Sequence, residues 1–110
     1  MLPDQSQPTE TYPPDQPAAT VHPQDDLIAA HVAVFRSRLR DLVASGVLHL
    51  TVDLAGVQRV DSSGIGLLVA AHNSLRKSGG ELAVINASKD ILDLLRTMRI
   101  HRHFSVSGDC

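Results

Sequence analysis

The chain has no tryptophan and only three aromatic residues in 110, so its core has to be aliphatic, built from Leu, Val, Ile and Ala. Its one cysteine, Cys110, is the last residue of the sequence, which rules out an internal disulfide and gives no argument for secretion. No apolar run approaches the roughly 20 residues that a membrane-spanning helix needs, so no membrane insertion is expected. The first residues are acidic and proline-rich, unlike a secretory leader. Together these absences predict a cytoplasmic protein. Proline is missing beyond position 23, and residues 1–26 contain no Lys or Arg.

What is present is unevenly spread. Five acids (Asp4, Glu10, Asp15, Asp25 and Asp26) give residues 1–26 a charge of −5, while ten bases against seven acids give residues 27–110 a charge of +3. That small surplus, without interleaved aromatics or Gly-Arg runs, argues against nucleic-acid binding. Proline lacks an amide donor and is excluded from helix interiors, so residues 1–17 read as a disordered acidic, Pro-rich tail. Residues 18–110 read as a single domain, long enough for a modest core at 43% hydrophobic content.

Within that domain a short strand is predicted at Ala18 to His22. Asp25-Asp26 then opens a helix, with acids at the favourable end of its dipole and Leu27, Ile28, Val32, Phe35, Leu39, Leu42 and Val43 on one face. Arg36, Arg38 and Arg40 fall largely off that face and read as a solvated face in preference to a partner-binding surface, and Gly46 ends the helix. Val47 to Leu54 alternates as a strand does, with Leu48, Leu50, Val52 and Leu54 inward. A second helix runs to Ser78, placing Ile65, Leu68, Ala71, His72 and Leu75 on one side. Glu81 to Asn86 is apolar on both faces, which predicts a strand inside a covered sheet. Ser88 caps a third helix with Ile91, Leu94, Leu95 and Met98 inward, and His101 to Val106 adds a short edge strand. This alternation predicts an α/β domain with a mostly parallel sheet, βαβ units and sequential strands as neighbours.

The polar junction Val60-Asp61-Ser62-Ser63-Gly64-Ile65-Gly66 joins the second strand to the second helix. A nucleophile elbow needs Gly-x-Ser-x-Gly, but Val60 and Asp61 stand two residues before the two serines. Gly64-x-Gly66 lacks the third glycine of a dinucleotide loop, and no Gly-Lys-Ser/Thr occurs, so no nucleotide cofactor is expected. His101 and His103 with a terminal Cys110 do not close a metal site. These residues point away from an enzyme. Two readings of the junction stay open. Either Ser62 or Ser63 is an N-cap and the glycines permit close packing, or a serine is a phosphoacceptor. A phosphoryl group there would be opposed by Asp61 and favoured by the helix N–H groups.

Residues 47–106 resemble a STAS domain, the fold of bacterial anti-sigma-factor antagonists. The resemblance lies in Leu50 to Val60, then Asp61-Ser62-Ser63-Gly64-Ile65-Gly66-Leu67-Leu68, then Gly79-Gly80-Glu81-Leu82. The preceding helix aligns with the family's first, extending the coverage to about residue 20. The resemblance implies that Ser62 is the phosphoacceptor and that Asp61, Ser62, Ser63, Gly64, Ile65 and Gly66 form the partner-binding surface. It implies two partners: a serine kinase that doubles as the anti-sigma factor, and a metal-dependent phosphatase. The unphosphorylated protein would capture the kinase and free the sigma factor, in partner switching that regulates transcription. The alternative is a constitutive STAS scaffold subunit of a lipid-transport ATPase or of a chemotaxis or other signalling complex. The family's N-terminal hairpin is reduced or missing here. The sheet edge is then shorter, or completed by a second copy of the protein as a homodimer, or by a partner.

Overall fold

The structure is a computed structural model and describes residues 17–108. The predicted tail, apart from Pro17, and Cys110 lie outside the described residues. Elements alternate as β1 (Ala18–Val21), α1 (Val32–Ala44), β2 (His49–Asp53), α2 (Ser62–Lys77), β3 (Glu81–Ala87), α3 (Lys89–Thr97), a 3-10 turn (Ile100–Arg102) and β4 (Ser105–Gly108). The four strands form one sheet in the order β1-β2-β3-β4, every neighbouring pair parallel. This is the α/β architecture with sequential neighbours that the alternation of periods predicts. Among the described residues the N-terminal strand is a single one, paired parallel to β2 rather than folded into a hairpin with it. No helix among the described residues is long and apolar enough to cross a membrane.

The period-2 pattern lands on the core. Ala19, Leu50 and Leu82 share one row of the sheet, and Val21, Val52, Val84 and Val106 the next. Leu50, Val52, Leu82 and Val84 are buried, with Leu68, Leu75, Ile91 and Leu95 from α2 and α3 in the same core. Burying each such aliphatic side chain stabilises the fold by about 1.5–3 kcal/mol. The opposite sheet face differs from the expectation of a fully covered sheet. Ala83 and Ile85, like His49, Thr51 and Asp53, are half-buried, because their apolar character is met by only partial cover.

Two boundaries and one burial are corrected. The first helix begins at Val32, not at Asp25-Asp26. The Asp26 carboxylate instead accepts the Gln58 amide at 2.9 Å, and Leu27 forms a parallel bridge with Val60. Those tertiary bonds hold residues 26–27 extended, and α1 starts without a side-chain cap at His31. The final strand lies at Ser105–Gly108 rather than His101–Val106, because Ile100 and Phe104 are buried and the chain between them turns to achieve this. Met98, expected inward, is 48% exposed, since α3 ends at Thr97 and Met98 is its C-cap.

Candidate functional site at the start of α2

The junction is organised by Asp61, an extended residue at the N-cap of α2. Its Oδ1 accepts the amides of Ser63 at 2.9 Å and Gly64 at 3.2 Å, and its Oδ2 accepts the amide of Ala29 at 3.0 Å. The cap is therefore Asp61, and neither serine fills the role that one sequence reading gave them. The amide of Ala29, with those of Gly64 and Ser63 behind it, holds the Asp61 carboxyl below the usual aspartate range, even though partial desolvation opposes this. Backbone bonds reinforce the tie. Leu27 donates to the Arg59 carbonyl at 3.0 Å and accepts from the Asp61 amide at 3.1 Å. One carboxylate thus fastens the 27–29 loop to the first turn of α2.

Gly64 packs where that loop crosses the helix. A Cβ at position 64 would run into the Leu27 carbonyl oxygen and stand 2.8 Å from the Leu27 Cβ. The second glycine does a different job: a Cβ at Gly66 would meet nothing within 4 Å. Ile65 is buried in the core, Ser63 is half-buried, and Ser62 and Gly66 are exposed. The residues from Asp61 to Gly66 accordingly divide, with Ser63 half-buried between the two sets. Asp61, Gly64 and Ile65 hold it together, while Ser62 and Gly66 face outward.

Ser62 and Gly66 open onto a groove of about 590 Å³ between α1 and α2. One wall is α1, with Leu39 and Val43 below and Arg36 and Arg40 at the rim; the other is α2. On α2 the lining residues Ser62, Gly66, Ala70 and Ser74 recur every fourth position, so one side of the helix is small and the groove stays open. Sequence reasoning weighed the α1 arginines as a partner-binding surface, favoured a solvated face, and did not pair them with α2. The four-residue repeat of small side chains was the available signal. Arg38 is different from its neighbours, donating to the His22 carbonyl at 2.8 Å and lying 5.7 Å from the centre of the Phe35 ring.

No curated protein matches the sequence. Similar folds occur among solved structures. TM1081 of Thermotoga maritima, a protein assigned as an anti-sigma factor antagonist, is 19% identical with a TM-score of 0.78, covering 89% of this chain and 83% of its own. The anti-sigma factor antagonist SpoIIAA in its unphosphorylated form is 18% identical with a TM-score of 0.66, covering 92% and 86%. The Bacillus cell fate determinant SpoIIAA in its phosphorylated form is 16% identical with a TM-score of 0.66, covering 86% of both chains. These likenesses carry the fold. The sequence itself matches the STAS-domain family over residues 10–109, and so the chain, with its parallel sheet and its Asp-capped serine junction, belongs to the STAS family.

Proposed function

We propose that the protein is a cytoplasmic anti-sigma-factor antagonist, a binding module that captures a serine-kinase anti-sigma factor while Ser62 is unphosphorylated. The kinase transfers the γ-phosphoryl group of ATP to Ser62 Oγ, releasing ADP and the hydroxyl proton. A metal-dependent phosphatase hydrolyses the ester back to serine and phosphate. ATP and metal belong to those partners.

The observation that carries this reading is the exposure of Ser62 at the open end of an apolar groove, on a helix start fixed by Asp61. A hydroxyl held there can be modified without moving the core. A charge added at the edge of an apolar contact then costs any partner seated on it several kcal/mol. SpoIIAA, a protein of the same fold, exists in phosphorylated and unphosphorylated forms.

A kinase assay with the cognate kinase on wild type and Ser62→Ala tests the proposal. Labelling of the wild type and none of the variant is expected; equal labelling of both refutes Ser62 as the acceptor. Capture of the partner equally by wild type, Ser62→Ala and Ser62→Asp would instead make this a constitutive scaffold.

A further inference from the structure

We propose that Arg36 and Arg40 are the intramolecular receptor for a phosphoryl group on Ser62, so that phosphorylation fills the α1–α2 groove from within rather than only adding charge to its rim. The inference rests on the reading of Ser62 as the phosphoacceptor.

The start of a helix ordinarily welcomes an anion through its free amides. Here the amides of Ser63, Gly64 and Ile65 are already engaged. Ser63 and Gly64 donate to the Asp61 carboxylate, and Ile65 donates to the Asp61 carbonyl at 3.0 Å. The same carboxylate is negative and adjacent, so it repels a second anion. With three amides of the first turn taken and Asp61 beside it, a phosphoryl group on Ser62 draws most of its positive charge from elsewhere.

The groove supplies it. Arg36 and Arg40 are one turn apart on α1 and share the cavity with Ser62, Ser63 and Gly66. Both are exposed, and neither forms an ion pair with any described residue. The remaining nearby cations are committed differently. Arg38 is bonded to His22 and set against Phe35, and Arg59 lines a separate cleft with Asp61 and Asp90. Small side chains on the α2 wall leave the path across the groove clear. A guanidinium fork suits the oxygens of a phosphate monoester, making short, charge-assisted bonds that an isolated serine hydroxyl cannot. In the unmodified protein the two arginines remain available to an acidic group of a partner. Once Ser62 carries phosphate they are occupied, and the groove floor is covered.

The test uses the full chain with phosphoserine placed at position 62 during translation, so no kinase is needed. The readout is the ³¹P NMR titration of the phosphoryl group. In low salt the midpoint is expected to rise by about half a pH unit in R36Q/R40Q relative to the unsubstituted phosphoprotein, as loss of two surface cations predicts. The difference should vanish in about 1 M NaCl, where screening reaches roughly 3 Å. R36K/R40K should recover part of the shift, and R38Q should titrate like the parent. Coincident titrations of parent and R36Q/R40Q, or an equal shift in R38Q, overturn the proposal. Failure of a kinase to label Ser62 would strike the functional reading alone, because this measurement does not depend on one.

Discussion

Gly64 and Gly66 stand two residues apart in α2, and alanine at each is expected to move stability in opposite directions. In a helix interior alanine is favoured over glycine by about 1 kcal/mol. At position 66 the new methyl group meets nothing within 4 Å, so nothing opposes that gain. Gly66→Ala should therefore raise Tm by roughly 4–8 °C, the usual response of a domain of this size to about 1 kcal/mol. At position 64 the methyl group meets the Leu27 backbone and Cβ. Leu27 cannot retreat, being 1% exposed and held by bonds to Arg59 and Asp61 at 3.0 and 3.1 Å. Overpacking of that kind costs about 1–3 kcal/mol, at the upper end where backbone must yield. After the propensity gain, Gly64→Ala loses about 1–2 kcal/mol, and Tm falls by roughly 4–16 °C. Circular-dichroism melts of the two single variants at pH 7 decide it. A Gly64→Ala protein that melts at or above wild type, or a Gly66→Ala protein that melts well below, refutes the division of the junction into a packed half and an open half. The Gly66 methyl also occupies the groove, so this variant should capture partner less well although it is more stable.

Ser63→Ala should change stability by less than about 0.5 kcal/mol in a denaturant melt, because the cap belongs to Asp61 and the Ser63 hydroxyl makes no hydrogen bond with a described residue. Ser62→Asp, at an exposed position, should likewise leave the melt within about 0.5 kcal/mol while weakening partner capture in a pull-down; a large stability loss would show that Ser62 is structural. His72 is buried beside His103, at 6.3 Å between ring centres, and Phe104, at 5.5 Å. Burial, then Arg76 and His103, push its pKa down. The unfolded chain consequently takes up the proton first. The stability this residue contributes is complete above about pH 6.5 and is lost as pH falls from there toward its lower folded value. Melts between pH 7.5 and 5 should show this decline, and His72→Phe should remove the part due to His72.

The sheet was legible because strands such as Leu50-Thr51-Val52 declare their faces with a period of two, and the match of α2 to one apolar side placed it against them. Ser88 was legible too, since an N-cap acts within three residues: its hydroxyl accepts the Ile91 amide at 3.3 Å. What sequence could not disclose were bonds made across long separations. Asp25-Asp26 has the local signature of a helix start, but Asp26 is bonded 32 residues away to Gln58 and Leu27 is bridged to Val60. The same distance separates Ala29 from Asp61, whose role as a clasp is invisible to any local rule. Residues Asp61 to Gly66 were read as a motif, whereas the groove beside them needed α1 and α2 to be docked. Ser62, Gly66, Ala70 and Ser74 on its far wall lie at a readable four-residue spacing, but the arginines facing it belong to another helix.

The clasp made by Asp61 has a consequence for how the protein is handled in a cell. The bonds that hold the 27–29 loop and the start of α2 run through Asp61, Leu27 and backbone amides, and none requires the Ser62 hydroxyl. A phosphoryl group on Ser62, as proposed above, would therefore break none of the bonds that hold this junction. Quality-control proteases act on the unfolded fraction, so modification there would not by itself expose the protein to them. Under the proposed function, the ratio of modified to unmodified protein would be reset without unfolding and replacing the chain.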